Sequence, residues 1–186
     1  MIEAELKARV HTPEAMLRKL DDRAVGRPEV YRDTYYDTPD RALEAADEEL
    51  RVRTVHGADE TRTVITFKGA RVDDDSGSKP EHETRVDDAE AIHALLRGLG
   101  YVPLIQFEKR CRNYAFDAAG RHMLATLVRV PEIEGTFLEV ETLAEESDVA
   151  AALADVRAVL TSLGIAESDL TRELYTDAVR ERRASR

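Results

Sequence analysis

Four short stretches place like charges two residues apart: Glu3/Glu5, Arg51/Arg53, Glu81/Glu83 and Glu139/Glu141. Lys7 and Lys68 add single cations in similar surroundings. A spacing of two is the period of a β-strand, so each pair shares one face of its strand. The opposite faces carry Ala4 and Leu6, Leu50 and Val52, and Leu138 and Val140. Carboxylates and cations gathered from several strands describe a site for a metal–polyphosphate complex. Guanidinium and ammonium groups neutralise phosphate oxygens, Arg often through two parallel hydrogen bonds. Carboxylates hold hard divalent cations such as Mg2+ or Mn2+. Such ions bridge phosphate oxygens, position a nucleophile and stabilise charge on a leaving group.

One charged strand face is ordinary on a solvated sheet edge. Four of them, from strands far apart in the chain, point to a sheet whose charged face is interior. Charges inside a protein need partners, and the mixture of signs supplies them. The expected fold is therefore α+β: an eight-stranded antiparallel β-barrel, a tunnel with a charged lumen, its apolar face turned outward against peripheral helices.

The strands fall at Ile2–Val10, 28–37, Glu49–Val55, Arg62–Gly69, Pro80–Val86, Leu104–Phe116, Arg121–Val130 and Thr136–Thr142. Asp117-Ala118-Ala119-Gly120 is a hairpin turn. Thr12-Pro13-Glu14 opens a helix to Leu20 or Asp22, and 41–46 is a short helical turn. Asp87-Asp88 opens a helix to Leu99, Ser147-Asp148 one to Leu163, and Ser168-Asp169 a last one carrying Leu174, Tyr175 and Val179. The polar run Asp73-Asp74-Asp75-Ser76-Gly77-Ser78 reads as a mobile loop. One domain covers 1–178, and a basic, frayed tail covers 179–186.

Among 186 residues, hydrophobic types make up 42%, enough for a core. The formal net charge of −11 repels nucleic acid and anionic membranes and makes any cluster of cations informative. No apolar run is long enough to span a bilayer, and no basic-then-apolar leader precedes the first strand, so the expectation is a soluble protein. Cys111 is the single cysteine, which rules out an internal disulfide and fits the reducing cytoplasm.

The chain resembles the CYTH proteins, the triphosphate tunnel metalloenzymes. Glu3-Ala4-Glu5-Leu6-Lys7 is similar to their ExExK signature. In order after it come Tyr35-Tyr36-Asp37-Thr38, Leu50-Arg51-Val52-Arg53, Phe67-Lys68-Gly69, Glu81-His82-Glu83, Glu108-Lys109-Arg110 and 135–141. The resemblance runs from Ile2 to Tyr175 and implies divalent-metal-dependent chemistry on triphosphates, the family including class IV adenylate cyclases, thiamine triphosphatases and inorganic triphosphatases. It implies Glu3, Glu5, Glu81, Glu83, Glu139 and Glu141 as metal-site carboxylates, with Mg2+ or Mn2+ as the ion. It implies Lys7, Arg51, Arg53, Lys68 and Lys109, with Arg112 as a further candidate, as triphosphate ligands, and Glu5, Glu139 and Lys7 as the catalytic groups. A homodimer fits the same resemblance.

Two departures stand out. Many relatives have Leu-Asp-x-Val before the last strand, where this chain has Leu127-Val128-Arg129-Val130, so Val128 replaces a carboxylate that would bind metal or act as base. Relatives often carry Lys-x-Arg in the sixth strand, where this chain has Lys109-Arg110-Cys111-Arg112. Strand parity groups Lys109 with Cys111 and puts Arg112 with Tyr114 and Phe116; only a bulge would bring Arg112 to the side of Lys109. Three functions follow. The first is cyclisation of ATP to cyclic AMP and pyrophosphate. The second is hydrolysis of inorganic or thiamine triphosphate. The third is triphosphate or polyphosphate binding without turnover, which Val128 favours. Cys111 reads as a packed small residue, His56, His82, His93 and His122 as structural or surface groups, and Tyr35 and Tyr36 as core or outer-barrel residues.

Overall fold

In a computed structural model, described over residues 1–72 and 77–186, eight strands close an antiparallel barrel. They are β1 (Ile2–Arg9), β2 (Arg27–Asp37), β3 (Glu49–His56), β4 (Thr61–Lys68), β5 (Lys79–Val86), β6 (Val102–Ala118), β7 (Arg121–Arg129) and β8 (Phe137–Ala144). Around the barrel they run β1-β5-β4-β3-β2-β6-β7-β8, with β8 paired back to β1. The five helices among the described residues are α1 (Pro13–Asp21), α2 (Ala42–Ala45), α3 (Ala89–Gly98), α4 (Val149–Ser162) and α5 (Tyr175–Ala184). Residues 73–76 of the expected polar loop lie outside the described residues.

Alternation along each strand sorts the side chains. On β1, Ala4, Leu6 and Ala8 are buried on the outer face beneath helices, while Glu3, Glu5 and Lys7 face the lumen. The main core lies outside the barrel wall: Leu6, Tyr114, Met123, Ala125, Leu138 and Val140 pack against Met16 and Leu20 of α1 and Val156, Val159 and Leu160 of α4. Each such aliphatic side chain stabilises by roughly 1.5–3 kcal/mol when fully buried. The hairpin between β6 and β7 turns through Ala119 and Gly120, both at positive φ (52° and 76°), as a tight two-residue hairpin turn requires. Asp88 caps α3 by accepting from the Ala91 amide at 2.9 Å.

Two expectations for the C-terminus are corrected. Ser168-Asp169 does not start a long helix; it forms one 3-10 turn, Glu167–Asp169, in which Asp169 Oδ2 accepts from the Ala166 amide at 3.0 Å. The chain then runs extended to Tyr175, where α5 begins. Nor do residues 180–184 fray: they are helical, and Arg183 donates to Glu132 at 2.7 and 2.8 Å and to the Gln106 carbonyl at 2.7 Å.

Candidate active site in the barrel lumen

A cavity of about 300 Å3 occupies the lumen. Its acidic wall comes from β1 and β8, whose register sets Glu5 opposite Glu141 and Lys7 opposite Glu139. Glu3, Glu5 and Glu141 each offer a carboxylate oxygen, and the three lie within 4.8 Å of one another. That is about twice a metal–oxygen bond of roughly 2.1–2.4 Å. Lys68 on β4 pairs with Glu3 and, at 3.1 Å, with Glu81 of β5. Glu83 accepts from Thr66 Oγ1 at 2.8 Å.

The basic wall comes from β3, β6 and β1. Arg51, Arg53, Lys109 and Lys7 all reach the cavity. Arg53 makes a bidentate pair with Asp33 of β2 at 2.7 and 2.8 Å, and Lys109 approaches the same carboxylate at 3.7 Å. Arg51 is buried and donates only weakly, to Thr66 Oγ1 at 3.4 Å; its Nε has no hydrogen-bond partner among the described residues. Buried donors are normally satisfied, so an acceptor arriving in the lumen has a group waiting for it. A third group of residues is already neutralised: Glu29 accepts from Arg62 at 2.7 and 3.1 Å and from Asn113 at 2.7 Å.

The ionisation of the acidic wall is uneven. Burial opposes charge on Glu3, but Lys68 and then Arg51 overcome it and hold the carboxyl down at about 2. Burial, followed by repulsion from Glu139 and Glu3, pushes Glu5 up to about 7. Burial, with Glu3 and Glu5 beside it, pushes Glu141 well above the usual carboxylate range. Thus Lys68 and Lys7 only partly offset the charge of Glu5, and Lys68 that of Glu141, and a divalent cation is the ligand that would supply the rest. Asp33 is the opposite case: burial alone would raise it, but Arg53 and Lys109 hold it well below its ordinary value. Burial lowers the Lys7 ammonium, against the pull of Glu139 and Glu5.

Of the residues singled out in the sequence, Glu3, Glu5, Lys7, Arg51, Arg53, Lys68, Glu81, Glu83, Lys109, Glu139 and Glu141 all line this one cavity. Arg112 does not. The β6–β2 register shifts only between Tyr35 and Tyr36, too far away to invert its parity. Arg112 lies on the outer face, where it pairs with Asp21 of α1 at 3.2 Å. Val128 does point inward, but into an apolar cluster with Cys111, Val130, Phe137 and Tyr175. Tyr35 lines the cavity, stacked on Phe107 at 5.7 Å, whereas Tyr36 is outside and bonds His93 Nδ1 at 2.6 Å.

Tyr175, which lines the cavity, and Asp33, buried behind it against Arg53, were not singled out from the sequence as site residues. For Asp33 a signal existed: it shares strand parity with Tyr31 and Tyr35, and a pairing of β2 with β3 that sets it opposite Arg53 would have exposed it. For Tyr175 there was none, because its position depends on where the last helix starts.

The CYTH domain family model matches residues 1–175. A Methanocaldococcus jannaschii protein carrying the name "putative adenylate cyclase" is 24% identical over 95% of this chain and 98% of its own length. Among solved structures, a Pyrococcus horikoshii protein superposes with a TM-score of 0.82 at 25% identity, covering 96% of this chain and 98% of the other. A Hippeastrum adenylyl cyclase candidate, reported with a dominant triphosphatase activity, superposes with a TM-score of 0.64 at 17% identity, over 97% of this chain and 95% of its own, a likeness of fold alone. No helix among the described residues is long and apolar enough to cross a membrane.

Proposed function

Since the chain belongs to the CYTH domain family, whose model spans residues 1–175, we propose that it is a divalent-metal-dependent enzyme that binds a nucleoside triphosphate in its tunnel and cyclises it. The observation that carries this reading is the division of one cavity into two walls. Three carboxylate oxygens cluster within 4.8 Å on one side, and the buried Arg51, whose Nε has no partner among the described residues, stands with Lys7 and Lys109 on the other.

In this reading Arg51, Arg53, Lys7, Lys68 and Lys109 bind and straighten the phosphate chain. Arg53 comes already oriented by Asp33, so little side-chain entropy remains to be lost on binding. Glu3, Glu5 and Glu141 would hold Mg2+ or Mn2+, an all-oxygen donor set suited to hard cations. When bound, the ion neutralises phosphate charge and steadies the departing pyrophosphate. Glu139 lies outside the three-oxygen cluster and opposite Lys7, placed to accept a proton. The ribose 3′-hydroxyl gives that proton to Glu139 as its oxygen bonds to the α-phosphorus. The bond from the α-phosphorus to the bridging oxygen breaks, and pyrophosphate leaves with the electron pair, its charge met by Arg51 and Lys109.

A second reading, hydrolysis of a triphosphate to orthophosphate, has one observation in its favour. The aromatic rings of β2 that line the cavity are already engaged: Tyr31 lies under Arg53 at 4.4 Å and Tyr35 is stacked on Phe107. Each ring thus has one face taken, which leaves less aromatic surface on which to stack a nucleobase. One experiment separates the readings: incubation with ATP, thiamine triphosphate or inorganic triphosphate and Mg2+ or Mn2+, with identification of products. Cyclic AMP and pyrophosphate support cyclisation, orthophosphate supports hydrolysis, and binding without turnover overturns both. Glu5→Gln is expected to stay folded and lose metal-dependent turnover; unchanged turnover would sink the metal assignment.

A further inference from the structure

The barrel wall has a seam. β1 pairs with β8 along its whole length but with β5 only at Ile2 and Glu3. Beyond Glu3 the free edge of β1 is taken by the C-terminal segment: Leu170 bridges Ala8, and the Thr171 amide donates to the Lys7 carbonyl at 2.9 Å. From that edge the chain turns inward, and Leu174, Tyr175 and Thr176 line the cavity. α5 is then fixed at its far end by the Arg183 contacts with Glu132 and Gln106.

Tyr175 opens α5 and is 7% exposed. Its ring packs edge-on against Phe137 at 5.3 Å and lies under two ammonium groups, Lys7 at 4.4 Å and Lys109 at 4.8 Å. Cation–π contacts explain the ring. They do not explain the hydroxyl, which is buried near the Glu139 carboxylate yet closes no hydrogen bond with it or with any other described residue. A buried hydroxyl is ordinarily paired because leaving it unpaired is costly. The N-cap position is Leu174, and no side chain caps the first turn of α5. Free amides at a helix start favour an anion, and they do so here beside an orphan donor and two cations.

We propose that Tyr175 is a substrate-contacting residue: its hydroxyl and the first-turn amides of α5 complete, with Lys7 and Lys109, a pocket for one phosphoryl group. The proposal rests on the triphosphate reading above and adds a donor from the C-terminal helix to the cations of the barrel. Tyr175→Phe keeps the ring, its packing and both cation–π contacts, and removes only the hydroxyl. Calorimetric titration with inorganic triphosphate in EDTA should show binding by the wild type and binding weaker by roughly tenfold or more in Tyr175→Phe, the size expected for a hydrogen bond to a charged group. Its melting temperature should be unchanged or raised. The same titration is repeated in Mg2+: equal affinity of the two proteins in both buffers overturns this inference alone, and no binding by the wild type in either buffer overturns the triphosphate reading and this inference with it. Hydrogen exchange on the wild type needs no variant. Slower exchange at the amides of residues 175–177 with inorganic triphosphate supports the pocket, and unchanged exchange there overturns it; the Ala178 amide already donates to the Leu174 carbonyl at 3.1 Å.

Discussion

Asp33 and Arg53 face each other across the β2–β3 ladder and close a bidentate ion pair at 2.7 and 2.8 Å inside the barrel. Asp33 is fully buried, and Lys109 shares its carboxylate at 3.7 Å. Removing one partner of a buried pair strands the other, at a cost of roughly 3–5 kcal/mol. Asp33→Asn should therefore lower thermal stability by about that much. Inorganic triphosphate should restore more stability to the variant than it adds to the wild type, because it brings the missing negative charge. Parallel melting curves with and without triphosphate check both statements.

The two walls were legible to different degrees. Glu3, Glu5 and Lys7 could be read because each alternates with an apolar residue that the helices cover, so period and burial agree. Arg51 and Arg53 share that clarity. Asp33 was hidden because its neighbours on the same face are Tyr31 and Tyr35, which read as core, and because its partner is set by strand register. Tyr175 was hidden by the good capping residues Ser168 and Asp169: they form a real turn, but the β1 edge competes for Leu170 and Thr171 and delays the helix. The order of the last residues rests on Arg183 meeting Glu132 and Gln106, contacts set by tertiary structure.

Metal-free protein should gain stability as the pH falls from about 8 to 5. Burial, Glu139 and Glu3 raise Glu5 from 4.5 to about 7, so between those values the native state keeps a proton that the unfolded chain has lost. Stability therefore falls as pH rises through that window, by on the order of 3 kcal/mol for a shift of this size. Glu3, held at about 2, acts with the opposite sign and only at lower pH. Glu5→Gln should reduce the pH 5–8 slope measured in EDTA, with a remainder from Glu141, which burial and its carboxylate neighbours also raise, and saturating Mg2+ should flatten it in the wild type. A slope equal in Glu5→Gln and wild type would show that Glu5 is not its source.

Lys109 and Arg112 should separate cleanly. Lys109 is buried in the lumen, whereas Arg112 meets Asp21 outside the wall. Lys109→Ala should weaken triphosphate binding by roughly ten- to a hundredfold. Arg112→Ala should leave binding unchanged and cost no more than about 1 kcal/mol, as exposed pairs do. Titration calorimetry on both variants, with urea unfolding for stability, gives the comparison.

Val128→Asp should destabilise the protein. Val128 is fully buried, with Cys111 and Phe137 as its cross-strand neighbours and Val130 and Tyr175 in the same apolar cluster. Its strand places it two residues beyond Thr126, the partner of Glu139, and four beyond Leu124, the partner of Glu141. At about 3.3 Å per residue, an aspartate there stands roughly 7 Å along the strand from the first level and 13 Å from the second. It would be a carboxyl in apolar packing, away from the Glu3–Glu5–Glu141 cluster. Such a group keeps its proton to high pH, so the native state is penalised most where the unfolded aspartate is ionised. The expected loss is about 3 kcal/mol or more at pH 8 and smaller at pH 5, by urea unfolding at each pH. Adding Mg2+ should stabilise the variant no more than the wild type; a larger gain would mean that position 128 reaches the metal cluster.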